Sequence, residues 1–330
     1  MTACAIKVQG LCHTYMAGTP LAQQSLRGVD MEVHLGEVVA VIGATGSGKS
    51  TLLQHLNGLW RPQEGQVWVT GHDLNDPTTD LRQVRRTVGL VFQRPEDQLF
   101  EQYVGDDVAY GPRMAGLTGV ELRDRVRWAM ELVGLDFQRY KDRLIATLSG
   151  GERRKAGLAG VLAMRSQVLL LDEPTAGLDP AARSDLLARL SRLKRSETAR
   201  SQCCAQDVRA QDVRSALDRA EPDPPGPRAW GMTLVIATHN MDDVAVMADR
   251  VYVLEEGRVA LHGPTRQVFA QVERLRSLGL DVPPVTSVMA ALRGRGLPVP
   301  LDVLTLNEAE AAILALSSSR DAAKRQGGQA

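Results

Sequence analysis

Apolar and polar residues alternate through residues 4–40, as in Ile6-Lys7-Val8-Gln9 and Val29-Asp30-Met31-Glu32-Val33. A period of two predicts strands with one buried and one wet face, the pattern of an antiparallel sheet. Val38-Val39-Ala40-Val41-Ile42 is apolar throughout and reads as a buried strand. Further strand signals lie at 65–69 and 88–92. From about residue 95 to 165 the pattern turns helical. Short leucine-rich or β-branched runs return at 168–171 and 233–237, and they suit parallel strands covered on both faces. This order predicts an α/β core with an antiparallel β subdomain and a helical insert over 95–165.

Residues 194–231 interrupt the pattern. Residues 205–209 and 210–214 repeat the same five amino acids, a period that fits neither helix nor strand faces. Glu221-Pro222-Asp223-Pro224-Pro225-Gly226-Pro227 follows, which cannot form regular structure. The segment reads as a flexible surface insertion. Short helices are expected after residue 262. Thr305-Leu306-Asn307-Glu308 reads as a capping box opening an Ala/Leu helix with Ile313 and Leu314 on one side. Residues 317–330 read as a disordered tail. The organisation expected is therefore a main domain over 1–262, a helical extension over 263–316, and the tail.

Composition narrows the class. The 330 residues carry 39 basic and 39 acidic side chains, so net charge gives no reason to expect nucleic acid as a partner. No run of about 18 apolar residues is present, and the N-terminus lacks a secretory signal. The chain is expected in the cytoplasm, reaching the membrane only through a partner. Cys4, Cys12, Cys203 and Cys204 form no C-x-x-C pair, which argues against zinc and for free thiols.

Gly43-Ala44-Thr45-Gly46-Ser47-Gly48-Lys49-Ser50 fits the phosphate-binding loop pattern, between a buried strand and a helix starting Thr51-Leu52-Leu53. Its glycines let backbone N–H groups curl around phosphate oxygens, at a helix N-terminus of positive potential. Lys49 is placed to reach the β- and γ-phosphates of ATP, and the Ser50 hydroxyl to ligate Mg²⁺. The run 168–171 ends in Asp172-Glu173. Asp172 is expected to hold Mg²⁺ beside Ser50, and Glu173 to polarise the attacking water. Leu148-Ser149-Gly150-Gly151-Glu152 opens a helix and makes a second anion site.

That last motif resembles the signature of ABC ATPases, about 100 residues after the phosphate loop and just before the Asp-Glu strand. The resemblance implies a phosphate-loop (RecA-like) NTPase core with a helical ABC-specific subdomain. It also implies roles by position. Gly43, Thr45, Gly46, Ser47, Gly48, Lys49, Ser50 and Thr51 bind the nucleotide, with Tyr15 stacking on adenine. Ser149, Gly150 and Gly151 contact the ATP held by a partner subunit. Gln93 reaches Mg²⁺ or water and senses the membrane partner. Asp179, in Ala176-Gly177-Leu178-Asp179, crosses the dimer interface. His239 contacts the γ-phosphate.

Arg94-Pro95-Glu96-Asp97-Gln98-Leu99-Phe100 and Gln54-His55-Leu56-Asn57-Gly58-Leu59 are similar to the ATPases of energy-coupling factor (ECF) importers. Thr45 and Gln54-His55 look more like the second of their two paired ATPases. The similarity spans about 4–193 and 232–316, and Arg94 stands where the family often has an apolar aromatic residue. It implies ATP hydrolysis in a head-to-tail dimer at the cytoplasmic face of the membrane, driving uptake of a vitamin or transition-metal ion. The implied partners are a second ABC ATPase, like or unlike, a transmembrane coupling protein and a substrate-binding membrane protein. A soluble ABC ATPase acting on nucleic acid or the ribosome is the rival. It is disfavoured by an ordinary insert where DNA-repair types carry a coiled coil, and by a single module where translation factors carry two. A purely regulatory module is disfavoured by intact Glu173 and His239.

Overall fold

The structure, a computed structural model, describes the backbone of residues 4–203 and 232–327, and the side chains of these except 192–203 and 317–327. Strands β1 (Cys4–Tyr15), β2 (Gln23–His34), β4 (Glu64–Val69) and β5 (His72–Asp73) form an antiparallel sheet ordered β2-β1-β4-β5. Strands β3 (Val38–Ile42), β6 (Val88–Val91), β7 (Val168–Asp172), β8 (Thr233–Ala237), β9 (Arg250–Glu255) and β10 (Arg258–Pro264) form the second, ordered β10-β9-β3-β8-β7-β6. It is parallel except for β10. The two signals at 65–69 and 88–92 therefore belong to different sheets.

Burial follows sheet type. Every residue of β3, β6, β7 and β8 is buried, as continuous apolar strands covered on both faces require. β1 and β2 mix buried and exposed residues. The β9–β10 hairpin was not anticipated. Its turn, Glu256-Gly257, has φ of 45° and 80°, the left-handed pair of a two-residue hairpin loop.

The helices are α1 (Lys49–Leu56), α2 (Leu81–Thr87), α3 (Val104–Met114), α4 (Gly119–Leu132), α5 (Phe137–Tyr140) and α6 (Gly150–Ala163). They are followed by α7 (Pro180–Cys203), α8 (Met241–Met247), α9 (Thr265–Phe269), α10 (Val272–Ser277), α11 (Pro284–Gly294) and α12 (Leu306–Gly327). Helices α3 to α6 make the helical layer expected at 95–165. Its core holds Val104, Val108, Met130, Phe137 and Leu162, and is continuous with Leu169 and Leu171 of β7.

Within the expected insertion at 194–231, α7 continues to Cys203, and 204–231 lies outside the described residues. Residues 317–327 are helix, an extension of α12 through Ala, Ser, Arg and Lys positions compatible with helix. The capping box is half made. Thr305 Oγ1 accepts from the Glu308 N–H at 3.4 Å, but the Glu308 carboxylate accepts from Leu304 N–H at 3.0 Å and pairs with Arg266. This ion pair fastens α12 to α9, and the extension has its own small core of Met289, Val299, Val303 and Ala309.

Candidate nucleotide site

Ligands of open α/β sheets bind outside the carboxyl ends of the strands, and the candidate residues collect there. The phosphate loop follows β3, Gln93 follows β6, Asp172 and Glu173 close β7, and His239 follows β8.

The loop is tightly supported. Gly43 has φ 159°, and a Cβ there would lie 2.3 Å from Leu254 O and 2.5 Å from Ser47 Oγ. A Cβ at Gly48, φ 104°, would meet Ser25 O at 2.7 Å. The β9–β10 turn buttresses the loop, with the Gly257 N–H donating to Ser47 O at 3.1 Å. Ala44, Thr45 and Gly46 are exposed. Lys49 is buried and folds back on its own loop, Nζ donating to Gly43 O at 2.8 Å and Ala44 O at 3.0 Å. Burial lowers its pKa, opposed by Glu173 and Asp172. Ser47 Oγ is buried without a partner, a polar group turned into a loop shaped for an anion. The Thr51 hydroxyl is engaged internally by Tyr15 Oη at 3.0 Å and Ser25 Oγ at 2.9 Å. Tyr15 is thus held beside the start of α1, its ring edge-on to His13 at 4.5 Å.

Burial pushes the Asp172 carboxyl up, with Glu173 adding to the rise while the Ser50 hydroxyl and Lys49 oppose it. Ser50 and Asp172 are therefore neighbours, and a hydroxyl beside a carboxylate is an oxygen set that suits Mg²⁺. Among the described residues no group of three His, Cys, Asp or Glu could hold a metal. Glu173 adopts φ 51°, a left-handed conformation unusual outside glycine. Its N–H donates to Ala237 O at 2.8 Å, and its Oε1 lies 2.8 Å from His239 Nδ1. The Glu173 side chain is 11% exposed and that of His239 70%, so the pair spans from the core to the open surface.

Gln93 is exposed, and its carbonyl accepts from Arg154 Nη2 at 3.1 Å. Ser149 caps α6 in a full capping box with Glu152. The Glu152 carboxyl is held down at about 2 by the Ser149 N–H and by Tyr140 Oη. Gly150 and Gly151 are exposed, and a Cβ at either would meet nothing. Nothing inside the chain requires glycine at either position. Asp179 caps α7 through the Ala181 and Ala182 N–H groups, both at 3.0 Å.

Two arginines escaped the sequence reading. Arg183 pairs with Asp243 at 2.7 Å and donates to Asn240, while Thr175 Oγ1 donates to the same Asp243. This network ties α7 to the helix after His239. Arg154 bridges Gln93 and Glu173. In the 95–98 turn Glu96 is half-buried, with its Oε2 buried, and Asp97 is exposed.

An ABC transporter family model matches residues 26–176. The ECF transporter ATP-binding protein EcfA2 of Symbiobacterium thermophilum is 44% identical, covering 97% of this chain and 99% of that protein. Its Clostridium perfringens namesake is 41% identical, covering 94% and 97%. Among solved structures, cbiO1 from C. perfringens, part of the ABC transporter complex cbiONQ, aligns with a TM-score of 0.65. It is 33% identical, covering 87% of this chain and 99% of that one.

Proposed function

Because this chain belongs to the ECF transporter ATP-binding proteins, a group of ABC ATPases, we propose that it works as half of a head-to-tail ATPase pair driving uptake of a vitamin or transition-metal ion. The observation that carries the reading is the meeting of Lys49, Asp172, Glu173 and His239 at the carboxyl end of one sheet.

The phosphate loop offers its exposed backbone at Ala44–Gly46 and the N-terminus of α1 to the phosphates. Lys49 exchanges its two loop carbonyls for phosphate oxygens. Ser50 and Asp172, with Gln93, would hold Mg²⁺, which would screen charge on the phosphates. Glu173 accepts a proton from water, and His239 orients the Glu173 carboxylate through the 2.8 Å contact. Tyr15 presents its ring to the base. Ser149, Gly150 and Gly151 close over the nucleotide of the partner ATPase, which accounts for glycines with open space above them. Asp179 lies at that interface.

Among the described residues no helix is long and apolar enough to cross a membrane, and in this reading a separate transmembrane protein carries the cargo. A groove between the core and the helical layer, lined by Phe92, Phe100, Tyr110 and Met164, is the docking place for the coupling protein. Exposed Phe100 and Tyr110 stack edge-on at 4.7 Å beside it. The exposed apolar face of α11 and α12, with Val288, Leu306, Ile313 and Leu314, holds the two ATPases together without ATP.

Glu173→Gln keeps the side chain's size and removes the proton acceptor. ATP binding should persist, hydrolysis should fall by about 10²- to 10⁴-fold, and an ATP-dependent dimer should accumulate on gel filtration. Wild-type turnover would remove Glu173 from the reading. Fractionation of cells with and without the membrane partner tests transport. Recovery in membranes should require the partner and weaken with Asp97→Lys; equal recovery in both strains would refute it.

A further inference from the structure

We propose that Arg154 is a positioning residue for hydrolysis, holding the backbone of Glu173 and of Gln93 from the signature helix. The inference rests on the reading of Glu173 as proton acceptor. Arg154 lies on the first turns of α6, close behind Ser149-Gly150-Gly151. Its Nη2 donates to Glu173 O at 2.7 Å and to Gln93 O at 3.1 Å. Its Nη1 faces the loop before α7, 3.7 Å from where a Cβ of Gly177 would stand. One guanidinium thus bonds two loops that the nucleotide reading uses and lies near a third, and it arrives from the helix that the glycine pair opens.

The contact to Glu173 matters because that residue is in a conformation it would not choose. At φ 51°, followed by Pro174, its backbone is strained, and such a residue persists only where its surroundings over-determine it. Two bonds do so here. The N–H is tied to Ala237 O on β8, and the carbonyl is tied to Arg154. Removing the second lets the residue relax, which re-aims the carboxylate that now meets His239. Arg154 is also the link from the helical layer. Pro95, just after Gln93, is seated on α6 so closely that a Cβ at Gly157 would be 2.3 Å from Pro95 O. The 95–98 turn and α6 therefore move together, and Arg154 joins that unit to β7. The guanidinium has an alternative in reach of its charge. Its Nε and Glu96 Oε2 are both buried without a partner, and Glu96 stabilises its charge more than Glu173 does.

The test compares Arg154→Gln, Arg154→Lys, Glu173→Gln and the Arg154→Gln/Glu173→Gln double variant in the assembled transporter. Charged hydrogen bonds of this kind put the expected fall in kcat for Arg154→Gln at about ten- to a hundredfold. KM for ATP should stay within about twofold, because the loop that binds phosphate is untouched. Arg154→Lys, which can still donate to a carbonyl, should recover part of the loss. In the double variant the Arg154 change should add little to the Glu173 loss, since both act through one carboxylate. Unchanged kcat in Arg154→Gln, a parallel loss of kcat and ATP affinity, or full additivity in the double variant would each overturn the proposal. If Glu173→Gln itself hydrolyses normally, the reading of Glu173 fails instead, and the single-variant kcat values tell the two failures apart.

Discussion

Acidification should destabilise this protein through one buried imidazole, His55. It is fully buried near the end of α1, with Nε2 3.1 Å from His13 Nδ1. His13 is packed in turn against Tyr15 and Trp60. The far nitrogens, His55 Nδ1 and His13 Nε2, are buried without a hydrogen-bond partner. A proton added here brings a charge into an apolar pocket. The helix C-terminus favours a cation, but by at most about 2 kcal/mol, and burial outweighs it. Burial and then the neighbouring His13 push the His55 pKa from 6.5 down to about 4, with only the Trp60 backbone opposing. The sign follows from proton counting. Between the two pKa values the unfolded chain binds the proton and the folded one does not, so stability falls as pH drops through 6.5 and levels off below about 4. The full loss is roughly 3 kcal/mol, and about 1 kcal/mol is already gone near pH 5.5. That is a large part of a total of about 5–15 kcal/mol. Urea unfolding of wild type and His55→Gln at about pH 8 and about pH 5.5 measures it, because the amide keeps a polar contact to His13 without titrating. The wild type should lose about 1 kcal/mol more than the variant. Parallel losses would refute the reasoning.

Gly157→Ala raises helix propensity by about 1 kcal/mol but drives a Cβ to 2.3 Å from Pro95 O, so a net destabilisation of about 1–3 kcal/mol is expected in urea unfolding. An unchanged midpoint would mean that the turn yields freely. Replacing 204–228 by a short Gly/Ser linker should leave ATP turnover within about twofold, because its Pro-rich, repeated composition offers little to bury. Loss of turnover or of soluble expression would show that the segment does more.

The phosphate loop was legible because its chemistry is local: eight consecutive residues carry the glycines, the lysine and the hydroxyl. The strands β3, β7 and β8 were legible for the same reason, as uninterrupted apolar runs. The assignment of 65–69 and 88–92 to separate sheets was latent in their patterns. Glu64–Val69 has exposed and half-buried positions, whereas Val88–Val91 is buried throughout. The β9–β10 hairpin had a signal, an apolar run at 251–254 followed by Glu256-Gly257, and it went unread. Arg154 had none. Its bond to Gln93 spans 61 residues, and that of Arg183 to Asp243 spans 60, so both depend on how the sheet orders its strands. Charge alone does not tell that Glu96 buries one carboxylate oxygen near Arg154. The role of Tyr15 was read from position alone, and position does not tell that its hydroxyl is bonded to Thr51.

β3 has a consequence for cooperativity. Val38 belongs to the apolar cluster under the helical layer, Val39 and Val41 to the one shared with the antiparallel sheet, and Ala40 and Ile42 to the one beneath α9 and α10. Five residues thus weld three packing compartments, and the glycine-rich loop at 43–50 springs directly from the last of them. No compartment can melt without loosening that root. Mass action then runs the other way: a ligand gripped by the loop raises the melting point of all three compartments at once. Heat resistance of the whole domain becomes a gauge of how full a site only a few residues wide is.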